Sequence, residues 1–320
     1  MDATFSQPSN RRHPRRLYYG DLSGNGTVDL VEAVYDEAMG KEVPERNLRA
    51  VGAALPFVQA KLRTFEAYGN AGVLEIFGEA VKKMHELSVT ALESMVFFNR
   101  GDHFEAAPLP RQAQFSPAFG VAVGDLDGDG NEDLFLSQNF FAATAETTRN
   151  DAGRGLWLRG DGKGGMAPVP GQESGVKVYG EQRGCALCDF DGDGRVDLVV
   201  TQNGNETKLY RNLRARPGLR VRLRGAPGNP SGIGATMKLI FGKRSGPVRE
   251  VHAGAGYWSQ DSVVQVMGIP EPPTEISIRW PGGKTIATDI PSGAREIAVD
   301  SNGRLDVIRS ASLGKAGGLK

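Results

Sequence analysis

Residues 120–139 read GVAVGDLDGDGNEDLFLSQN, and residues 184–203 read GCALCDFDGDGRVDLVVTQN. Eleven of the twenty aligned positions are identical, and the shared centre is D-x-D-G-D-G-x-x-D. A weaker third copy, GDLSGNGTVDLVEA, begins at Gly20. Self-similarity of this kind indicates one structural unit used several times. The short apolar runs on both sides of each centre predict β-strands rather than helices.

The repeated centre carries carboxylates at its first, third, fifth and ninth positions, and its seventh residue can add a backbone carbonyl. Glycines at the fourth and sixth positions permit the left-handed turns that aim these oxygens inward. Clustered carboxylates repel unless a cation neutralises them, and oxygen ligands suit Ca²⁺ rather than zinc or copper. The alternative is an acidic, glycine-rich surface turn. The predicted ligands are Asp125, Asp127, Asp129, Asp133 and the carbonyl of Asn131 in one loop, and Asp189, Asp191, Asp193, Asp197 and the carbonyl of Arg195 in the other.

An EF-hand is excluded for both of these loops. That motif needs a glutamate at its twelfth position and helices on both sides, but Leu136 and Val200 stand there. The third copy does fit EF-hand spacing through Glu32, yet the LYYG before it is typical of a strand. We interpret it as a degenerate repeat that binds metal poorly or not at all. Its weaker metal candidates are Asp21, Ser23, Asn25, Thr27 and Asp29.

Composition agrees with many short strands joined by tight turns, since the chain has 43 glycines and 18 prolines among 320 residues. The 38 basic and 38 acidic side chains balance, which gives no support to a polyanion partner. No apolar run is long enough to predict a membrane span. Cys185 and Cys188 form an isolated CxxC, which we interpret as a pair of strand residues rather than a redox or zinc motif.

The acidic loops resemble those of the FG-GAP/VCBS repeat proteins, whose β-propeller blades carry loops of this form. Three further motifs resemble the ASPIC/UnbV domain of cartilage acidic protein-like chains: NPSGIGA at 229–235, REVHAGAGYWSQ at 249–260 and RWPGGK at 279–284. The resemblance implies secreted or periplasmic proteins with binding or adhesion-like roles and no established catalytic residues. Such proteins begin with a signal peptide and carry more repeats, so we expect that an N-terminal part is missing here.

We therefore predict a mainly β fold, with a partial β-propeller of about three blades, a helical insertion and a C-terminal β-sandwich. The blades are expected near 15–40 plus 95–108, 115–170 and 180–212. Within the insertion, an apolar stripe from Leu48 to Leu62 has helical spacing, and Pro56 is expected to divide it. The predicted segments are a disordered N-terminus at 1–14, blades at 15–212 with the insertion at 44–88, a sandwich at 216–300 and a tail at 301–320.

The expected function is a non-catalytic, calcium-binding interaction or adhesion-like module with a protein or glycan ligand. It is expected outside the cell or in the periplasm, and an incomplete propeller is expected to self-associate. The alternative is a propeller-based hydrolase or lyase with structural calcium, because fold alone does not exclude catalysis. Nucleic acid is not the expected partner: Arg220, Arg222 and Arg224 share one face of a strand, but no aromatic residues are interleaved with them.

Overall fold

The computed structural model describes residues 12–142 and 149–310, and the chain divides into two compact units. One unit contains the residues up to Met95 together with 142–149, and the other contains 96–141 and the rest of the chain. This division falls inside the predicted 15–212 domain. The predicted disorder at residues 1–11 and 311–320 lies outside the described residues. Within the described ranges, no helix is long and apolar enough to cross a bilayer.

The first unit contains one antiparallel sheet and several short helices. Four strands pair in the order β3-β2-β1-β4. They are β1 Arg15–Gly20, β2 Asp29–Asp36, β3 Lys41–Pro44 and β4 His85–Val89. Between β3 and β4 lie α1 Leu48–Ala54, α2 Pro56–Lys61, α3 Phe65–Gly69, α4 Val73–Phe77 and a 3₁₀ helix at Gly78–Lys83. The helices end before the predicted boundary at residue 88, because residues 85–89 pair with β1 as a strand.

Local chemistry explains where these helices begin. Asn47 caps α1 by accepting a hydrogen bond from the Ala50 N–H at 3.0 Å. Pro56 is the first residue of α2, where its missing N–H removes no helical hydrogen bond. The chain therefore divides at Pro56, as the sequence predicted. Apolar side chains of the helices pack on β2 in one buried cluster of Val31, Ala33, Leu48, Leu55, Val58, Tyr68, Ala71, Val73, Ile76, Phe77 and Val81.

The second unit begins with a hairpin and two antiparallel sheets. The hairpin pairs β5 Met95–Asn99 with β6 Phe104–Pro108, and a 3₁₀ helix follows at Arg111–Gln114. A four-stranded sheet follows, made of β7 Ala118–Gly124, β8 Asp133–Gln138, β9 Leu156–Gly160 and β10 Met166–Val169. After α5 Gly171–Ser174 comes a three-stranded sheet of β11 Glu181–Cys188, β12 Asp197–Asn203 and β13 Asn205–Tyr210.

The predicted first blade, which combined 15–40 with 95–108, is wrong. The 15–40 strands pair with β3 and β4, whereas among the described strands β5 and β6 pair only with each other. The other two predicted repeats each form one sheet of consecutive strands, and none of the sheets in the described ranges is closed. These two sheets share a buried cluster that includes Ala122 and Phe135 from one sheet and Leu198 and Val200 from the other.

The remaining strands form a two-sheet domain, the C-terminal sandwich (residues 219–310). One sheet has the order β18-β14-β21-β22 and the other β16-β15-β19-β20, with β17 paired to β15. The strands are β14 Leu219–Arg224, β15 Thr236–Phe241, β16 Arg244–Ser245, β17 Arg249–Glu250, β18 Gln265–Met267, β19 Glu275–Arg279, β20 Thr285–Asp289, β21 Ala294–Asp300 and β22 Leu305–Ser310. Because β22 pairs with β21, the domain continues past the predicted boundary at residue 300.

Alternation along the strands builds the core of the sandwich. Leu219, Val221 and Leu223 of β14 face the second sheet and bury against residues such as Met237 and Ile278. Each aliphatic side chain buried in this way contributes about 1.5–3 kcal/mol. The intervening arginines of β14 therefore lie on the opposite face of that sheet.

Candidate metal centre

Each acidic loop joins two neighbouring antiparallel strands. The 125–133 loop lies between β7 and β8, and the 189–197 loop lies between β11 and β12. Their glycines at positions four and six have left-handed backbone angles, with φ of 76° and 90° at Gly128 and Gly130 and of 74° and 85° at Gly192 and Gly194. The predicted left-handed turns are confirmed, and a side chain at any of these positions would strain the backbone.

Backbone N–H groups hold the first and last carboxylates of the 125–133 loop. Asp125 accepts from the Gly128 N–H through Oδ1 at 2.7 Å and from the Gly130 N–H through Oδ2 at 2.8 Å. Asp133 accepts from the Leu126 N–H at 2.9 Å and from the Gly160 N–H at 2.8 Å. These bonds fix the carboxylates in the fold and leave further oxygen lone pairs for a cation.

Three of the four predicted aspartates come together in each loop. Asp125, Asp127 and Asp133 each offer a carboxylate oxygen, and these oxygens lie within 4.8 Å of one another. Asp129 does not belong to this group; its carboxylate accepts from the backbone N–H of Asn131 at 2.7 Å. The corresponding group in the 189–197 loop is Asp189, Asp191 and Asp197. There, the remaining aspartate, Asp193, pairs instead with the Arg195 guanidinium at 2.7 Å.

The 21–29 loop shares three of these backbone hydrogen bonds with the 125–133 loop and has fewer carboxylates. Asp21 accepts from the N–H groups of Asn25 and Gly26, both at 2.9 Å. Asp29 accepts from the Leu22 N–H at 2.9 Å, as Asp133 and Asp197 do from the second residue of their loops. The loop joins β1 to β2. The third copy is thus a structural repeat of the loop, with neutral residues at its third and fifth positions.

Burial gives the carboxylates of the 125–133 loop an unfavourable electrostatic environment. Desolvation raises the pKa of Asp125 to about 6 and that of Asp133 to about 7, against the lowering effect of their backbone hydrogen bonds. Burial also raises the pKa of Asp197. Within the described residues, the hydrogen-bond partners of Asp125 and Asp133 are backbone N–H groups, and the charge of Arg249 also lowers the pKa of Asp125. A group of buried carboxylate oxygens fits a hard cation such as calcium.

The C-terminal sandwich and the segment before it contact both loops. The Arg216 N–H donates to the Asp127 carbonyl at 3.1 Å, and the Gly218 N–H donates to the Gly194 carbonyl at 2.7 Å. Gly268, which follows β18, lies so close that a Cβ there would stand 1.8 Å from Asp125 Oδ2. Sequence reasoning missed Gly268, because no local motif marks a glycine needed for a close approach from another domain.

An ion pair also links the 125–133 loop to the sandwich. Arg249 donates to both carboxylate oxygens of Glu132, at 2.8 and 2.9 Å. It also donates to the Val266 carbonyl at 2.6 Å. A bidentate arginine–carboxylate pair fixes geometry more strongly than a single contact. Arg249 is the first residue of the REVHAGAGYWSQ motif, and its spacing gave no sign of a contact with Glu132.

The three arginines on the outer face of β14 all pair with acids. Arg220 and Arg222 donate to Glu296, at 3.0 and 2.5 Å. Arg224 donates to Asp306. The predicted shared face is confirmed, and these guanidiniums hold neighbouring strands.

The two cysteines are strand residues of β11, as expected. Both thiols are free. Burial raises the pKa of Cys185 to about 12, which disfavours the reactive thiolate form.

Comparison with known proteins supports the C-terminal, ASPIC/UnbV part of the predicted resemblance. The family model described as "ASPIC and UnbV" matches residues 225–304. Cartilage acidic protein 1 of Homo sapiens is 22% identical over 191 residues, which are 58% of this chain and 28% of that protein. The Xenopus tropicalis protein is 25% identical over 191 residues, 58% of this chain and 29% of its own length. The chain thus spans less than a third of these relatives.

A solved structure of streptogramin B lyase aligns with 95% of this chain and 92% of its own at 12% identity. Its TM-score of 0.18 is too low to carry an argument about fold. The similarity to the ASPIC/UnbV family is confirmed for residues 225–304, which lie within the C-terminal sandwich.

Proposed function

We propose that this protein is a non-catalytic, calcium-binding interaction module whose calcium ions are structural. The observation that carries the proposal is the 125–133 loop, where three carboxylate oxygens lie within 4.8 Å of one another. Two of these aspartates are almost fully buried, with Asp125 4% and Asp133 0% exposed. A bound calcium ion would neutralise this charge, and Asp125, Asp127 and Asp133 would supply its carboxylate ligands.

We assign the loop-bearing sheets to FG-GAP/VCBS-type blades of a partial β-propeller. Three loops share one hydrogen-bonding pattern, and each joins adjacent antiparallel strands. The two sheets of the second unit follow the chain strand by strand, as propeller blades do. This supports repeats of one supersecondary unit, although the first repeat includes β3 and β4 instead of the β5–β6 hairpin.

An extracellular or periplasmic setting and a protein or glycan ligand belong to the same proposal. Extracellular calcium modules bind at about 10⁻⁴–10⁻³ M, a concentration available outside cells. The names of the relatives refer to cartilage. The interaction role would be tested on a protein and glycan array with and without calcium. Calcium-independent turnover of a hydrolase or lyase substrate would contradict it.

Self-association is supported by apolar side chains on β7. Val121 and Val123 are 47% and 53% exposed, on the same side of that strand. Exposed apolar side chains on an edge strand favour association. Light scattering should therefore detect dimers or larger species. A protein that stays monomeric at every protein concentration measured would contradict this part of the proposal.

The calcium proposal is tested by thermal unfolding in calcium chloride and in EDTA. A ligand that binds only the native state stabilises it by mass action, so calcium should raise the melting temperature. The double variant Asp127→Ala/Asp191→Ala should lose most of that gain. Asp102→Ala is a matched control, because the Asp102 side chain is 87% exposed and lies outside the loops. Identical melting of the parent protein in calcium and in EDTA would contradict the proposal.

A further inference from the structure

The two calcium-type loops of the second unit differ in how many of their aspartates pair with an arginine. In the 125–133 loop, Arg159 pairs with Asp127 at 2.8 Å. In the 189–197 loop, three of the four aspartates have an arginine partner in the described structure. These pairs are Arg220 with Asp189, Arg211 with Asp191, and Arg195 with Asp193.

Arg220 is the interior member of this set. Its side chain is 9% exposed, and those of its partners Asp189 and Glu296 are 1% and 2% exposed. Its Nη1 donates to Asp189 Oδ2, and its Nε donates to Glu296 Oε2 at 3.0 Å. A guanidinium is charged at any physiological pH, and its fork geometry matches carboxylates. Arg220 therefore supplies a fixed positive charge at the first ligand of the 189–197 loop.

The corresponding place in the 125–133 loop is closed to such a side chain. Asp125 Oδ2 faces the backbone of Gly268, where even a Cβ would approach to 1.8 Å. Arg249 of the sandwich donates instead to both carboxylate oxygens of Glu132. Asp125 therefore has no arginine partner of the kind that Asp189 has in Arg220, and Arg159 contacts this loop at Asp127 instead.

We infer that the two loops are unequal cation sites: calcium binds tightly in the 125–133 loop, whereas arginines weaken its binding in the 189–197 loop. Calcium in the second loop must compete with Arg220 for Asp189 and with Arg211 for Asp191, whereas in the first loop the competing arginine is Arg159 at Asp127. Arg220 also joins that loop to β14 and, through Glu296, to β21, so the same side chain links the blade-like sheet to the C-terminal sandwich. The inference rests on the proposed calcium-binding function.

Titration calorimetry with calcium chloride at constant ionic strength tests the inequality. The parent protein should show one tight site and a second site weaker by about tenfold or more. Asp127→Ala should remove the tight site, and Asp191→Ala should remove the weak one. Two sites of equal affinity would overturn this inference and leave the proposed function standing. If the parent protein bound no calcium, both would be overturned.

Arginine variants test whether the guanidiniums cause the weaker calcium binding in the 189–197 loop. Arg211→Gln changes a side chain that is 59% exposed, so the protein should fold, and the weak site should become several-fold tighter while the tight site is unchanged. Arg220→Gln should have a larger effect in the same direction. Arg222→Gln is the matched control, because Arg222 contacts Glu296 but no loop aspartate. If Arg211→Gln left the weak site unchanged, or Arg222→Gln tightened it equally, the inference would be overturned.

Discussion

The 21–29 and 125–133 loops have the same backbone design and different chemistry. In both, the first aspartate accepts from the N–H groups of the fifth and sixth residues. In both, the ninth aspartate accepts from the N–H of the second. Glycines with left-handed φ angles stand at the fourth and sixth positions of each loop. The conformation is therefore achieved with two aspartates and two glycines.

What differs is the number of carboxylates and their burial. The 21–29 loop has Ser23 and Asn25 where the other has Asp127 and Asp129, and most of its residues are exposed. Water can solvate its charges, and no dense group of carboxylates forms. The loop conformation and the metal site are therefore separable. The first and ninth aspartates and the two glycines produce the loop conformation. The metal site needs, in addition, a carboxylate at the third position and burial of the loop.

Removing the ninth carboxylate from each loop should give the largest difference between them. Asp133→Asn should lower the melting temperature and remove most of the stabilisation by calcium, because it deletes a buried ligand. At a calcium concentration 100 times Kd, that stabilisation is about 2.7 kcal/mol. Asp29→Asn is the matched change in the exposed loop and should leave the calcium-dependent gain intact. Calorimetric melting with and without calcium measures both. Equal loss of the calcium effect in the two variants would contradict the distinction.

The pH dependence of stability should also separate the buried loop from the exposed one. The folded-state pKa values of Asp125 and Asp133, about 6 and 7, lie above the ordinary value near 3.8. Between about pH 4 and 7 the folded protein therefore binds more protons than the unfolded chain, and its stability in EDTA should fall as pH rises. Calcium should reverse this trend, since it binds the ionised carboxylates.

Melting curves of the parent protein and of Asp133→Asn, recorded from pH 5 to 8 in EDTA, measure this effect. The variant should show a shallower fall, because one of the two titrating groups is gone. A parent protein whose stability in EDTA rises over that interval would disagree with the burial of these carboxylates.

Restoring carboxylates to the 21–29 loop should have the smallest effect. Ser23→Asp/Asn25→Asp would give it the aspartates of the other loop on a backbone that already has the required turns. We expect one additional weak calcium site, at about 10⁻³ M or weaker, because the loop stays exposed and hydrated. Calorimetry of the double variant beside the parent protein would detect it. An added site as tight as that of the 125–133 loop would show that burial has no part in affinity.

The sequence predicted the local features of this molecule better than the distant ones. The glycine turns, the helical break at Pro56 and the strand positions of the cysteines depend on neighbouring residues, and each is found as expected. The first blade was wrong because pairing of β1 with β4 joins segments separated by the whole helical insertion. No nearby residue encodes that choice.

The candidate site shows the same limit. Spacing identified the aspartates, and the structure gathers three of four in each loop. The contacts of Gly268 with Asp125 and of Arg220 with Asp189 come from another domain. The sequence does show Arg220 as a charged residue that alternates with the apolar residues of β14. Its partner in the 189–197 loop could be identified only in the folded structure.

Anomalous scattering from crystals grown in calcium chloride tests the central claim most directly. We expect a calcium peak in the 125–133 loop, at about 2.3–2.6 Å from carboxylate oxygens of Asp125, Asp127 and Asp133. The same map should show a weaker peak or none in the 189–197 loop. Ordered water, a lysine or arginine nitrogen, or no density at the centre of the 125–133 loop in saturating calcium would contradict the account.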